Sequence, residues 1–156
     1  MKLLKLTWPE VQNMCEQLAV LIKNSGFEPD VIVGIARGGW VPARILSDFL
    51  DHEQIASMRV EFYTKPGETK KKPKITQKVS TAIKGKRVLL VDDVSDSGNS
   101  LKLARESLKG AKEVRTATLH FKPGSIFKPD YYIGETSDWI VYPWEAKETE
   151  RKLKER

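Results

Sequence analysis

The chain has 156 residues, of which 40% are hydrophobic and 31% charged, with a formal net charge of +6. These values fit one globular domain with its own core. No apolar run approaches the roughly 18 residues of a membrane helix, and the N-terminal apolar stretch is too short for a signal peptide, so we expect a cytoplasmic protein without a membrane partner. One cysteine, Cys15, and two histidines, His52 and His120, argue against a disulfide framework and a histidine-based metal site.

The N-terminal half alternates helical and strand patterns. Residues 7–10 (Thr-Trp-Pro-Glu) form a capping box that predicts the start of a helix, and Gly26 is its expected stop. Cys15 falls on the apolar face of this helix and is expected to be buried. A strand over 31–35, a helix over about 41–50 and a strand over 55–63 follow.

A basic segment comes next in the chain. Eight lysines and one glutamate lie between Lys65 and Lys86, while the rest of the sequence is nearly balanced in charge. Such a patch is typical of a polyanion site, although a solvated loop without a partner has the same composition. We predict that residues 64–78 form a long, mobile loop.

The C-terminal half continues the alternation of strands and helices. The predicted elements are a buried strand over 88–91, a helix over about 100–109, a strand over 114–119, a turn at 122–125, a short strand over 131–133 and a charged tail over 145–156 that forms a frayed helix. Together the elements predict one α/β domain over 1–156, with a mainly parallel central sheet flanked by helices.

The stretch from Val88 to Ser100 is the most informative part of the sequence. An apolar strand ends in Asp92 and Asp93, and a small hydroxyl-rich loop leads into a helix. Backbone N–H groups at a helix N-terminus bind phosphate, and the preceding carboxylates suit sugar hydroxyls or a cation. The pattern therefore indicates a sugar-phosphate site with a metal.

Three strands of the predicted sheet are followed by residues suited to binding. Arg37-Gly38-Gly39 follows the first, Asp92-Asp93 the second and Lys122 the third. Because open parallel sheets bind ligands at the carboxyl ends of their strands, we expect these residues to converge.

Residues 88–100 resemble the phosphoribosyl-pyrophosphate (PRPP) signature of type I phosphoribosyltransferases. Residues 33–42 resemble the pyrophosphate loop of that family. Lys122-Pro123 and the segment 139–145 resemble purine-binding elements of its bacterial xanthine-guanine branch. The resemblance covers 7–145 and implies the type I phosphoribosyltransferase fold, with a small hood above the sheet.

The resemblance implies Mg²⁺-dependent transfer of the phosphoribosyl group of PRPP to N9 of a purine, with release of pyrophosphate, as in purine salvage. Asp92 and Asp93 would accept hydrogen bonds from the ribose 2′- and 3′-hydroxyls, with Mg²⁺ near Asp93. The following loop would hold PRPP by its 5′-phosphate through Ser95, Asp96, Ser97, Gly98, Asn99 and Ser100.

Two further segments are implied to bind pyrophosphate. Arg37 and Gly38 would face it directly. The basic segment matches the flexible loop of the family, which closes over PRPP and excludes water. Lys70, Lys71 and Lys72 are the candidates there for a basic contact, with Lys71 in the middle.

Four residues are implied to contact the purine. Asp96 stands where the 6-oxopurine branches of the family place an Asp near N7 of the base. It is the expected catalytic residue because a carboxylate can accept or donate the N7 proton as the purine is alkylated. Lys122 would donate to the 6-oxygen, a contact that the amino group of adenine cannot accept. Trp139 would stack on the base, and the carbonyl of Ile140 would meet its 2-position.

We therefore expect a purine salvage enzyme that prefers hypoxanthine, guanine or xanthine. Two alternatives stay open: an adenine-preferring enzyme of the same fold, and a non-catalytic regulator that binds PRPP and nucleic acid. No stable nucleic-acid partner is expected, because Asp96 and Lys122 are both present. Family relatives imply a homodimer or homotetramer.

Overall fold

The computed structural model describes residues 1–156, which form four α-helices and ten strands. The helices are α1 (Trp8–Asn24), α2 (Trp40–Phe49), α3 (Asn99–Ser107) and α4 (Ala146–Lys154), and a 3₁₀ turn spans Pro143–Glu145. The strands are β1 (Leu3–Lys5), β2 (Val31–Ala36), β3 (Ile55–Tyr63), β4 (Lys72–Gln77), β5 (Arg87–Val91), β6 (Val94–Ser95), β7 (Glu113–Ala117), β8 (His120–Phe121), β9 (Gly134–Glu135) and β10 (Trp139–Val141).

The central sheet has the strand order β4-β3-β2-β5-β7, and all of its pairs are parallel except β3 with β4. Residues of β2 and β5 are buried on both faces because helices cover each side. One core joins α1 and α2 to Ile32 and Leu89, and the other joins α3 to Val33 and Leu90. The predicted α/β fold with a mainly parallel sheet is confirmed.

Two small sheets lie outside the central one. β6, β8 and β9 form a parallel three-stranded sheet, and β1 pairs in parallel with β10. Because β6 follows β5 after only two residues, this three-stranded sheet begins at the carboxyl edge of the central sheet. It therefore carries part of the candidate site.

The start of α1 agrees with its sequence pattern. The Thr7 hydroxyl accepts from the Glu10 N–H, and the Glu10 carboxylate accepts from the Thr7 N–H, each at 3.3 Å. Gly26 follows the helix with a φ of +78°. Cys15 is fully buried, as predicted, and burial raises the pKa of its thiol to about 12. This cysteine is a core residue.

Two predicted elements differ from the structure. The basic loop predicted over residues 64–78 is shorter than expected, because residues 72–77 form β4. Ile75 of this strand packs against the core on the α3 side. The strand expected over 131–133 is a single bridge between Ala117 and Tyr131, and a two-residue strand follows at 134–135. The tail, expected to be a frayed helix, forms the helix α4 over Ala146–Lys154. No helix has both the length and the hydropathy needed to cross a bilayer.

Candidate active site

The candidate site begins where β5 ends, at the adjacent carboxylates of Asp92 and Asp93. The Asp93 N–H donates to Asp92 Oδ1, and the Val94 N–H donates to Asp93 Oδ1, each at 2.8 Å. Burial, together with repulsion from Asp93, raises the pKa of Asp92 well above its usual value, and burial also raises the pKa of Asp93. Hydroxyl donors or a cation would therefore stabilise the charged form of this pair.

The strand register places Asp96 next to Lys122. In the parallel pair of β6 and β8, Ser95 lies opposite Phe121, so the next residue of each strand is also a neighbour. The Lys122 N–H donates to the Ser95 carbonyl at 3.0 Å, which fixes this alignment. Asp96 and Lys122, which are far apart in the sequence, therefore follow neighbouring strands of the three-stranded sheet.

Asp96 and Lys122 line a cavity of about 560 Å³, which we call the Asp96 cavity. This volume is in the range of small-molecule sites. Its other lining residues are Phe62, Asp92, Val94, Ser95, Ser97, Gly98, Ser100, Leu101, Pro123, Gly124 and Ser137. One member of the acid pair, the phosphate-loop candidates other than Asn99 and both purine-selective candidates therefore share one space.

The N-terminus of α3 opens onto the Asp96 cavity. Gly98 precedes the helix with a φ of +87°, and no side chain caps it. A Cβ at Gly98 would lie 2.5 Å from Ser125 Oγ and 2.6 Å from the Phe127 nitrogen, so only glycine fits there. The Asn99 N–H donates to Ser97 Oγ at 3.3 Å, and the next N–H groups of the first turn, with the hydroxyl of Ser100, suit an anion.

A second cavity of about 380 Å³, which we call the Arg37 cavity, lies on the other side of the acid pair. Its lining residues are Arg37, Gly38, Trp40, Val41, Asp93, Trp144, Glu145 and Glu148. A Cβ at Gly38 would lie 2.2 Å from Asp93 Oδ2, so glycine is required for the loop to approach the carboxylate. The Ala36–Arg37 peptide bond is cis. Asp92 therefore faces one cavity and Asp93 the other.

Helix α4 and the 3₁₀ turn before it each contribute one carboxylate to the lining of the Arg37 cavity. Arg37 donates from Nη2 to both carboxylate oxygens of Glu148, at 3.2 and 3.1 Å, and Lys152 pairs with Glu148 at 3.0 Å. The hydrogen bond from Lys152, followed by the charge of Arg37, lowers the pKa of Glu148. Burial and the nearby charge of Asp93 raise the pKa of Glu145, just before α4. The sequence pattern of the tail did not indicate this proximity.

The acid pair also bears on metal binding. No group of three or more His, Cys, Asp or Glu residues is arranged to hold a metal ion. Mg²⁺ is commonly held by one or two carboxylates, with its remaining positions filled by water and substrate phosphates. The adjacent, partly buried Asp92 and Asp93 fit that mode of binding and do not form a closed cage.

Several predicted site residues lie outside the two cavities. Lys71 is in the exposed loop between β3 and β4, Asn99 is the first residue of α3, and Ile140 is buried in the core. The ring of Trp139 is covered by the Arg156 guanidinium, 4.9 Å from the ring centroid. The contacts expected of these four residues stay predictions.

Ser95 has a different environment from its neighbours in the phosphate loop. Its hydroxyl is 1% exposed, donates to the Phe127 carbonyl at 2.7 Å and lies 2.8 Å from Ser125 Oγ. This hydroxyl therefore ties the segment after Lys122 to the phosphate loop. Ser95 also lines the Asp96 cavity, and its contact with phosphate stays a prediction.

Sequence reasoning did not identify Phe62 as a site residue. Ala56, Met58 and Val60 alternate along β3 and pack against the core on the α3 side, and Phe62 continues this face. Phe62 is 45% exposed and lines the Asp96 cavity. The bounds of this strand were predicted from the sequence, but its proximity to Asp96 depends on tertiary packing.

Comparison with known proteins agrees with this geometry. Residues 6–151 match the family model described as phosphoribosyl transferase domain. The xanthine-guanine phosphoribosyltransferase of Gluconobacter oxydans (strain 621H) is 31% identical over 143 residues, which are 90% of this chain and 83% of that protein.

Solved structures give a similar result. A purine phosphoribosyltransferase from Pyrococcus horikoshii Ot3 has a TM-score of 0.83 and 42% identity, over 92% of this chain and 94% of that one. A Neisseria gonorrhoeae protein of the same TM-score, solved with bound ppGpp, is 30% identical over 99% of this chain and 96% of its own. The chain therefore belongs to the phosphoribosyl transferase domain family, as its resemblance to the type I enzymes implied.

Proposed function

We propose that this protein is a purine phosphoribosyltransferase that transfers the phosphoribosyl group of PRPP to N9 of a 6-oxopurine. The products are a nucleoside 5′-monophosphate and pyrophosphate. The observation that supports this most strongly is that Asp96 and Lys122 line one cavity together with Asp92 and the N-terminus of α3. The names of the relatives from Gluconobacter and Pyrococcus support the same activity.

The two cavities match the two ends of PRPP. The N-terminus of α3 would hold the 5′-phosphate, and the acid pair would accept hydrogen bonds from the ribose hydroxyls. Arg37 and Gly38 would face the pyrophosphate. Asp93 would hold Mg²⁺, which when bound neutralises charge on the leaving group. This arrangement fixes the sugar while the bond at C1′ breaks.

Asp96 and Lys122 would act on the purine. Asp96 would take the N7 proton as N9 is alkylated. The Lys122 ammonium donates to the Asp138 carbonyl at 2.5 Å, so a 6-oxo group would replace one neutral acceptor with another. An adenine amino group offers no such acceptor at this position.

Other parts of the proposal concern the surroundings of the site. We expect Lys71, or its neighbours Lys70 and Lys72, to contact pyrophosphate when the loop between β3 and β4 closes. Trp139 and Ile140 are expected to contact the base. We also propose a cytoplasmic homodimer or homotetramer, by analogy with the family.

The test is turnover by an Asp96→Ala variant, with Asp96→Glu as a matched control that keeps the carboxylate. We expect kcat with guanine and hypoxanthine to fall about 10²- to 10⁴-fold in Asp96→Ala, because general acid–base catalysis contributes on that order. Asp96→Glu should retain more activity. Unchanged turnover in Asp96→Ala would contradict the proposal.

We further propose that ppGpp competes with PRPP for this site. The Neisseria protein was solved with ppGpp bound, and this chain shares 30% of its residues with that protein. A guanine base and two pyrophosphate groups would fit the two adjoining cavities. Competitive inhibition against PRPP is the expected result, and unchanged rates at saturating ppGpp would contradict it.

A further inference from the structure

A buried tyrosine hydroxyl contacts the backbone of the acid pair. Tyr142 follows β10 and is 1% exposed. Its hydroxyl donates to the Asp93 carbonyl at 3.0 Å and lies 2.8 Å from His120 Nδ1. The carbonyl also accepts from the N–H groups of Leu119 and His120, at 2.9 and 3.2 Å. Asp93 is therefore held from two directions, by the β8 segment and by Tyr142.

Counting protons determines the direction of the Tyr142–His120 hydrogen bond. The Asp93 carbonyl can only accept, so the single hydroxyl proton of Tyr142 is donated to it. The bond between Tyr142 and His120 then needs a proton on His120 Nδ1, which donates to the tyrosine oxygen. The order of donation is His120, Tyr142, Asp93.

This chain of hydrogen bonds joins both substrate sides of the site. His120 lies in β8 and precedes Lys122 by two residues. Tyr142 comes directly after β10 and follows Ile140 by two residues. Asp93 lines the Arg37 cavity. The backbone of the acid pair is therefore linked to the Lys122 side through the Leu119 and His120 N–H groups, and to the Ile140 side through the Tyr142 hydroxyl.

The surrounding packing leaves His120 and Tyr142 little freedom. A Cβ at Gly134 would lie 2.6 Å from His120 Cδ2, so glycine provides the space for the imidazole. The ring of Tyr142 stacks on Trp144 at 4.7 Å with an interplanar angle of 6°, and Trp144 lines the Arg37 cavity. Rigid packing of this kind holds a carboxylate in its productive orientation.

We propose that Tyr142, oriented by His120, is a positioning residue for PRPP. It fixes the Asp93 peptide so that the carboxylate faces the ribose and the leaving group. This inference rests on the proposed phosphoribosyltransferase function, and it goes beyond that function by assigning a role to two residues that do not reach the substrate.

The test compares Tyr142→Phe with Tyr131→Phe. Tyr131 is also buried, and its hydroxyl is bonded to Ser25 at 2.7 Å and Arg115 at 2.8 Å, away from both cavities. PRPP binding in the presence of Mg²⁺ is measured by calorimetry, alongside kcat, the KM of each substrate and the melting temperature. A merely structural role would lower the melting temperature of either variant without changing PRPP affinity.

We expect Tyr142→Phe to weaken PRPP binding about tenfold, the effect of one buried hydrogen bond, and to leave the KM of the base within about twofold. Tyr131→Phe should bind PRPP like the wild type. A His120→Phe variant keeps a ring and leaves Tyr142 bonded to Asp93. We therefore expect its affinity for PRPP to fall only about two- to threefold. His120→Phe also serves as the test if Tyr142→Phe does not fold.

The outcomes separate this inference from the proposed function. If the wild type turns over PRPP and Tyr142→Phe binds it as tightly as Tyr131→Phe, the positioning role is wrong and the function stands. If Tyr142→Phe does not fold and His120→Phe binds PRPP like the wild type, the role is equally wrong. A wild type that neither binds nor turns over PRPP would overturn both.

Discussion

The surroundings of Lys122 suit its proposed contact with the 6-oxygen of a purine. Its ammonium is partly buried and donates to a backbone carbonyl, that of Asp138, and it forms no salt bridge with a carboxylate. A carbonyl acceptor can be exchanged for the 6-oxygen of a purine without separating an ion pair. Selectivity at this position then depends on whether the incoming base has an acceptor there.

Replacing Lys122 with methionine keeps an unbranched side chain and removes the ammonium. We expect kcat/KM for guanine and hypoxanthine to fall about 10- to 100-fold, because a hydrogen bond from a charged donor is worth roughly 1.5–3 kcal/mol. The rate with adenine should change much less. Initial rates with each base provide the measurement, and Lys122→Arg is the charge-retaining control. An equal loss for all bases would argue against a contact with the 6-oxygen.

At the scale of elements, the site depends on where strands and helices end. β5 delivers the acid pair, the register of β6 with β8 places Asp96 beside Lys122, and α3 begins at a glycine with positive φ. Helix α4 packs next to the pyrophosphate side and pairs Glu148 with Arg37. Distant segments thus meet at the carboxyl edge of one sheet, as open parallel sheets favour.

The first helix offers a stability test that does not involve the site. Thr7 caps α1 through a reciprocal pair of hydrogen bonds with Glu10. We expect Thr7→Ala to lower the free energy of unfolding by about 1 kcal/mol and to leave turnover unchanged. Denaturant unfolding followed by circular dichroism measures the first quantity. A variant as stable as the wild type would show that the cap contributes nothing.

The sequence was most informative where local patterns decide structure. The capping box at Thr7 was sufficient to predict the start of α1, and the apolar run over 88–91 was sufficient to predict β5. β4 was missed because its apolar residue, Ile75, lies within a run of lysines, and its burial depends on contact with a distant part of the core. Local composition gives no indication of such a contact.

The candidate site was likewise predicted only where its residues form a local pattern in the sequence. The acid pair and the phosphate loop form one continuous motif, of which Asp92 and most of the loop line the Asp96 cavity, while Asp93 lines the Arg37 cavity. Tyr142 lies in the segment 139–145 that resembles a purine-binding element, but its contact with Asp93, like that of Glu148 with Arg37, depends on tertiary packing. Ser95 looked like a phosphate ligand, and only the structure shows its hydroxyl bonded to Phe127.

At the scale of the whole molecule, charge is distributed to suit an anionic substrate. The lysine-rich segment between β3 and the start of β5 carries eight of the basic residues, and the acid pair lies at the junction of the two cavities. A positive loop attracts PRPP, while buried carboxylates favour its hydroxyls and a cation. Separate basic and acidic regions therefore serve different parts of one ligand.

The most direct test of the central claim is nucleotide formation from PRPP with hypoxanthine, guanine, xanthine and adenine, each assayed with Mg²⁺ and with a chelator. We predict nucleoside monophosphate and an equal amount of pyrophosphate from at least one 6-oxopurine, a much lower rate with adenine, and no product after chelation. Faster turnover of adenine would contradict the assignment of Asp96 and Lys122. Absence of product with all four bases in the presence of Mg²⁺ would contradict the enzymatic function itself.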